Sequence, residues 1–219
     1  MGHVTRDTTR CVIDIDTSTG QILLSQRWKY VWATSARLPA WTYAEKRNFH
    51  TLADRSVWAT WSNRARLSVT GNSDFARRFA TRRCPVNLDI SWVLSDQHWE
   101  VTVTKMPPGV FHPSQVFWND RRIALGSRDY ETVTRTSPTG ATRRQPTVAH
   151  EFGHSFGNTG VLLRGDEYPK TSGPRSAHVT DETSIMNIGS ELRVRHFRHL
   201  VDDLNLMIPG TRFAVATVR

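Results

Sequence analysis

The chain of 219 residues is long enough for a sizeable α+β core. Hydrophobic residues make up 38% of it and charged residues 22%, which excludes a wholly disordered chain. Lysine and arginine exceed aspartate and glutamate by 29 to 20, so the formal net charge is +9. A surplus of this size attracts polyanions, but the arginine pairs are scattered along the chain, a pattern typical of a solvated surface.

The N-terminal segment 1–10 is polar and lacks the apolar stretch of a secretory signal peptide. No stretch approaches the roughly 18 apolar residues of a membrane span. We therefore expect a soluble protein without a membrane span. If it acts outside the producing cell, a dedicated secretion system must carry it into a target cell or periplasm.

The two cysteines, Cys11 and Cys84, are far apart and lack C-x-x-C spacing, so a cysteine-based metal site is not indicated. They could form a single disulfide, which would suit an oxidising compartment. Two buried free thiols are the alternative.

The first part of the chain is rich in strand patterns. Cys11–Leu24 predicts a hairpin that turns at Thr17–Gly20. Trp41–Trp58 lacks glycine and proline and predicts a helix. Val86–Leu94 and Trp99–Thr104 are rich in β-branched and aromatic residues and predict a second hairpin.

The pattern changes at Gln145, where Val148, Phe152 and Phe156 recur every four residues and predict one apolar helical face. Gly157 is a natural end for this helix. A long loop, 158–183, follows, and Glu191–Met207 predicts a last helix.

We interpret the chain as a single domain, 1–219. Its two halves are a β-rich half, 1–140, and a metal-site half, 141–219.

The residues that indicate chemistry are His150, Glu151 and His154, which form an H-E-x-x-H motif. Residues four apart share one face of a helix, so both imidazoles can reach one metal ion. Imidazole suits Zn²⁺, and Glu151 is placed to take a proton from the attacking water. The pattern predicts a zinc metallopeptidase.

A second motif, Thr183–Gly189, contains Ser-Ile-Met and resembles the Met-turn of metzincin peptidases. The series HEFGH, DEY, SIM and E-x-R-x-R-H-F over the last third of the chain is similar to bacterial metallopeptidases, among them toxin domains of contractile (type VI) secretion systems. The resemblance implies a zincin-like α+β fold, in which a twisted sheet packs on the HExxH helix and a C-terminal helix follows. It also implies a delivered effector toxin with an immunity protein and a secretion-spike carrier as partners.

The third metal ligand is not given by the motif, because Gly160 occupies the position where metzincins carry it. Asp166, Glu167, His178 and Glu191 are the candidates. We prefer Glu191, because a Met-turn that runs under the metal would bring the start of the following helix beside it.

Three basic residues on the last helix, Arg195, His196 and His199, could stabilise the oxyanion that forms when water attacks the peptide carbonyl. Solvated surface residues are the alternative interpretation.

The predicted activity is endopeptidase hydrolysis of a protein or peptide substrate, with Zn²⁺ as cofactor. One alternative is a zinc amidase that cuts cell-wall peptides, since the same chemistry cleaves any amide. Another is a zinc-stabilised module that binds nucleic acid, which the net charge favours but the scattered arginines do not.

Overall fold

The structure, a computed structural model, describes residues 2–110, 112–168 and 176–219. It confirms an α+β architecture with a mixed sheet and few helices. The strands are β1 (His3–Asp7), β2 (Val12–Asp16), β3 (Ile22–Thr34), β4 (Ala65–Gly71), β5 (Cys84–Trp92), β6 (Trp99–Lys105), β7 (Gln115–Phe117), β8 (Arg122–Gly126), β9 (Thr132–Thr136), β10 (Thr142–Pro146) and β11 (Thr211–Val218). The helices are α1 (Tyr43–Trp61), α2 (Asp74–Phe79), α3 (Thr147–Ser155) and α4 (Arg198–Leu204).

Strand β3 lies at the centre of the main sheet, whose order is β11-β4-β5-β3-β6-β8-β7. It pairs in parallel with β5 through its first half and with β6 through its second half. Alternate residues of β3 are buried, as expected for a strand with one face on a core. A separate two-stranded sheet, β9 with β10, leads directly into α3.

Helix α1 confirms the helix predicted for Trp41–Trp58, with slightly later bounds. It begins with a capping box in which the Thr42 side chain accepts from the Glu45 backbone and the Glu45 carboxylate accepts in return. Its buried face ends at Trp61, whose indole donates to the backbone carbonyl of Ala149 over 2.9 Å. Helix α1 thus contacts α3 directly.

Helix α3 packs on the central strand of the sheet. The Phe152 ring lies 6.4 Å from the Trp28 ring, and the Ser155 hydroxyl donates to the Gln26 side chain over 2.8 Å. Val148, Phe152 and Phe156 are at most 2% exposed, which confirms the apolar face predicted from their spacing. Gly157 follows the helix with φ of +129°, a conformation that glycine adopts readily, so the predicted helix end is also confirmed.

The first predicted hairpin is confirmed, since β2 and β3 pair antiparallel. The prediction of a second hairpin is wrong. Strands β5 and β6 exist within a few residues of the predicted bounds but flank β3 on opposite sides, both parallel to it. The connection between them crosses β3 near its middle, where the Val93 backbone N–H donates to the Trp28 carbonyl and the His98 N–H to the Arg27 carbonyl.

The helix predicted for Glu191–Met207 is only partly present. A 3₁₀ turn spans Val194–Phe197 and α4 spans Arg198–Leu204, whereas Glu191 lies in an isolated β-bridge with Ser184. Cys11 and Cys84 are both free and buried. Among the described residues, no helix is long and apolar enough to cross a membrane.

Candidate metal centre

The polar face of α3 carries the H-E-x-x-H residues. His150 and Glu151 are each 5% exposed, and the His154 side chain is 13% exposed. They are fixed in place because the opposite face of the helix is anchored in the core by its apolar residues. The two imidazoles therefore emerge side by side, as the spacing of four predicts.

Three donor atoms converge at this face. His154 Nε2 lies 3.2 Å from His150 Nε2 and 2.9 Å from Asp166 Oδ1, and His150 Nε2 lies 3.8 Å from the same oxygen. Donors bound tetrahedrally to zinc at 2.0–2.2 Å lie about 3.4 Å from one another. The mutual spacing of the three atoms matches that of a metal-ligand set.

The imidazole rings are oriented through their other nitrogens. His150 Nδ1 donates to the backbone carbonyl of Ile185 over 2.6 Å, and His154 Nδ1 donates to the carbonyl of Asn158. A proton held on Nδ1 leaves the Nε2 lone pair directed at the other donors. This is the arrangement that metal-binding histidines usually have.

The turn that contains Ile185 lies directly against the helix. An added Cβ on Gly153 would stand 2.7 Å from Met186 Sδ and 3.0 Å from Trp61 Cζ2, so only glycine allows this approach. The Gln145 side-chain amide donates to the backbone carbonyls of Ile185 and Asn187 and holds the turn at the start of the helix. The turn thereby fixes the orientation of His150.

The two histidines differ in their proton affinity in the metal-free protein. Burial, followed by the nearby charge of His154, lowers the pKa of His150 to about 4. Burial also opposes charge on His154, yet the hydrogen bond and the negative charge of Asp166 raise the pKa of His154 to about 9. A proton on His154 therefore occupies the group at neutral pH and must leave before a metal ion binds.

Glu151 lies beside the histidines, where burial raises its pKa to about 7. A carboxyl group with a pKa near neutrality can both accept and return a proton under physiological conditions. Glu151, His150 and Tyr168 line one cavity of about 950 Å³, whose other walls include the β9–β10 hairpin and residues 179–188. The cavity is large enough for several residues of a peptide.

Glu191, the third ligand preferred from the sequence, is not brought to the histidine pair. The turn folds back on itself through the Ser184–Glu191 bridge, so the Glu191 side chain emerges at the far end of the turn. There its carboxylate binds Thr183 Oγ1 and Arg193, each at 2.9 Å, with the side chain 59% exposed. Asp166 takes the position by the histidines that we expected Glu191 to take.

The other two candidates also lie elsewhere. His178 is exposed and does not belong to the group of His150, His154 and Asp166. Glu167 turns away from them and forms a two-point ion pair with Arg195, at 2.6 and 2.7 Å. Its backbone N–H donates to the Met186 carbonyl over 2.8 Å. These contacts fasten the residue next to Asp166 to the turn under the helix.

The residues predicted to stabilise an oxyanion serve other contacts. His196 is 2% exposed, and its ring nitrogens bond the Ser184 hydroxyl and the Arg193 backbone. His199 packs at Gly157 and Trp118. None of Arg195, His196 and His199 lines the cavity, and His196 is not a surface residue either. Tyr168, which in the sequence is only the last residue of the DEY motif, lines the cavity with its ring centre 6.4 Å from that of His150.

Comparison of the chain with protein-family models, with curated proteins and with solved structures finds no match. Among the described residues, His150, His154 and Asp166 offer ligand atoms that all lie within 4.8 Å of one another. Buried histidines with oriented rings and an adjacent carboxylate are the donors that a divalent transition metal prefers. These three residues are the candidate metal centre.

Proposed function

We propose that the protein is a zinc-dependent endopeptidase with a zincin-like site, in which His150, His154 and Asp166 bind the metal. The mutual spacing of their donor atoms, with both Nδ1 atoms held by backbone carbonyls, is the observation that supports the proposal most directly. Two imidazoles and a carboxylate are a ligand set of hydrolytic zinc sites, and a fourth position stays available. Bound there, the ion would supply a Lewis acid for water and for the peptide carbonyl.

Glu151 is the proposed general base. It follows His150 on the helix and lines the same cavity as His150. Because its pKa is about 7, its carboxylate can take the proton of the attacking water and pass it to the leaving amine. It bonds to neither ring in the candidate centre, which suits a proton carrier rather than a ligand.

Tyr168 is the proposed donor to the oxyanion. Burial, followed by the negative charge of Asp166, raises the pKa of Tyr168 well above its ordinary value, so its hydroxyl keeps its proton at neutral pH. It lines the same cavity as Glu151. A neutral hydroxyl that faces the developing negative charge stabilises it in the transition state.

The cellular role remains a proposal from the sequence resemblance alone. We infer a delivered effector toxin that cuts proteins in a target cell or its envelope. Its partners would be an immunity protein in the producing cell and a secretion-spike carrier. The effector role and the two partners are all inferred from the resemblance carried by the HEFGH, DEY and SIM motifs in the last third of the chain.

The experiment that tests the proposed function measures casein hydrolysis by the zinc-loaded protein. We expect hydrolysis by the wild type and a loss of 100-fold or more in Glu151→Gln, since general base catalysis is typically worth about 10² to 10⁴. Glu131→Gln is the matched control, because this carboxylate pairs with Arg128 at the surface. A zinc-loaded wild type that cleaves no protein or peptide, or a Glu151→Gln variant of full activity, would refute the proposal.

A further inference from the structure

One wall of the cavity is the β9–β10 hairpin, which carries two arginines at directly opposed positions. Arg135 on β9 and Arg143 on β10 are Cα partners in the antiparallel register. Side chains of opposed residues emerge on the same face of a sheet and lie close together. Like charges in this arrangement repel and destabilise the pair unless an anion lies between or beside them.

Neither arginine has a carboxylate partner within the described part of the chain. Arg135 donates from Nε to the Gln145 side-chain oxygen over 3.2 Å. Arg143 donates from one terminal nitrogen to the backbone carbonyl of its neighbour Thr142, and its Nε is buried without a hydrogen-bond partner among the described residues. Both side chains are half-buried, so their charges are only partly screened by water.

The acidic residues nearby are already engaged or placed elsewhere. The Asp129 carboxylate accepts from the Ser114 hydroxyl and the Gly126 backbone N–H, not from an arginine. The Glu182 carboxylate accepts from the Thr139 hydroxyl over 2.9 Å. Arg135 lines the cavity with its terminal nitrogens unbonded to any described residue. Asp129 and Glu151 lie close enough to attract Arg135 electrostatically, but neither forms an ion pair with it. The cavity thus offers a guanidinium group whose terminal N–H donors are bound to no carboxylate of the described residues.

We propose that Arg135, with Arg143 beside it, binds a carboxylate of the peptide substrate. A guanidinium group binds a carboxylate through two parallel N–H donors, and both arginines have donors to spare. The inference rests on the proposed function, because it assigns a substrate preference to the same cavity. It names peptides that carry an acidic side chain or a free terminal carboxylate as the substrate class.

The subsite lies close to the scissile bond. Gln145 bonds Arg135 through its oxygen, and its side-chain nitrogen lies 3.1 Å from His150 Nδ1. This chain of contacts places Arg135 Nε no more than about 9 Å from the metal-binding histidine. An extended peptide advances about 3.3–3.6 Å per residue. A metal on Nε2 would lie about 4 Å beyond Nδ1. The recognised carboxylate therefore belongs to a residue within about four positions of the cleaved bond.

The first experiment maps the bonds that the zinc-loaded protein cuts in casein, by mass spectrometry. We expect glutamate and aspartate to be enriched within about four residues of the cut. Arg135→Gln and Arg143→Gln should reduce the enrichment, whereas Arg144→Gln should keep it. Arg144 is the matched control, because it stands on the same strand but on the exposed opposite face. Cuts without acidic enrichment in the wild type would overturn the inference while leaving the peptidase intact.

The second experiment separates the two sources of the carboxylate. Peptides that span a preferred site are compared as glutamate and glutamine versions, each with a free or an amidated C-terminus. A lost charge-assisted pair should lower kcat/KM about 10- to 100-fold. A loss on replacing glutamate indicates side-chain recognition, and a loss on amidation alone indicates terminal recognition. In Arg135→Gln, the kcat/KM of the peptide with the recognised carboxylate should approach that of its partner without it. General damage to the fold would lower both values and leave their ratio unchanged.

Binding provides a readout that does not need turnover. The probes are acetylated, amidated Ala-Glu and Ala-Gln, titrated by NMR into zinc-loaded Glu151→Gln protein. We expect the glutamate probe to bind at least about 10-fold more tightly, and Arg135→Gln to remove the difference. Equal binding of the two probes overturns the subsite. Preferential binding of the glutamate probe, together with a zinc-loaded wild type that cleaves no protein or peptide, would keep the subsite and refute the peptidase.

Discussion

Gly153 offers a sharp test of how the helix and the turn beneath it cooperate. In most exposed helices a glycine-to-alanine change stabilises the protein by roughly 0.5–1 kcal/mol, because alanine loses less backbone entropy. Here the added methyl group would stand 2.7 Å from Met186 Sδ and 3.0 Å from Trp61 Cζ2. Both neighbours are buried, so neither can move away without disturbing the core.

The expected effect is a net destabilisation. Overpacking of a close-packed core costs about 1–3 kcal/mol, which exceeds the helix-propensity gain. We therefore expect Gly153→Ala to lower the free energy of unfolding by about 1–2 kcal/mol. Because the displaced turn also holds the His150 ring through the Ile185 carbonyl, zinc affinity should fall about 10-fold or more.

Urea unfolding of the metal-free protein measures the first effect, and competition with a chromogenic zinc chelator measures the second. Gly160→Ala is the control, because an added Cβ there meets nothing within 4 Å. A Gly153→Ala protein that is as stable as the wild type and binds zinc equally well would refute the close approach of turn and helix.

Three further predictions concern the groups around Asp166. Arg195→Met removes the two-point partner of the buried Glu167 carboxylate, so it should lower the free energy of unfolding by about 3–5 kcal/mol in urea. The same substitution should lower zinc affinity about 10- to 100-fold, measured by competition with a chelator. Unchanged zinc affinity would contradict the role of the Glu167–Arg195 pair in placing Asp166. Since the pKa of His154 is about 9 without metal, zinc binding at pH 7 should release about one proton, measured by calorimetry in buffers of different ionisation enthalpy; no release would contradict a protonated His154 in the metal-free site. Burial alone would raise the pKa of Glu167, but its hydrogen bonds, chiefly from Arg195, lower it to about 2. The stability advantage of the wild type over Glu167→Gln should therefore be complete above about pH 4.5 and shrink as the pH falls towards 2, and a constant difference would contradict the ion pair.

Local patterns were sufficient to predict the helix that carries the site. Val148, Phe152 and Phe156 repeat every four residues, and a helix of that period must place His150 and His154 on its other face. The hairpin of β2 and β3 could likewise be predicted, because its turn and its alternation are both local. These features depend on residues close in sequence.

Contacts between distant residues could not be predicted in the same way. Strands β5 and β6 have the alternation of a hairpin, but their pairing depends on β3, whose paired residues lie 64 and 71 positions earlier in the chain. The structure places Asp166 rather than Glu191 beside the histidines for a related reason. Glu167, next to Asp166, is held by an ion pair with Arg195, a contact between distant residues that spacing alone does not reveal.

Anomalous scattering at the zinc absorption edge from crystals of the purified protein tests the central claim most directly. We predict one strong peak about 2.0–2.2 Å from His150 Nε2, His154 Nε2 and a carboxylate oxygen of Asp166. A protein crystallised with zinc that shows no peak between these three residues, or a peak coordinated by Glu191 in place of Asp166, would contradict the proposed metal centre.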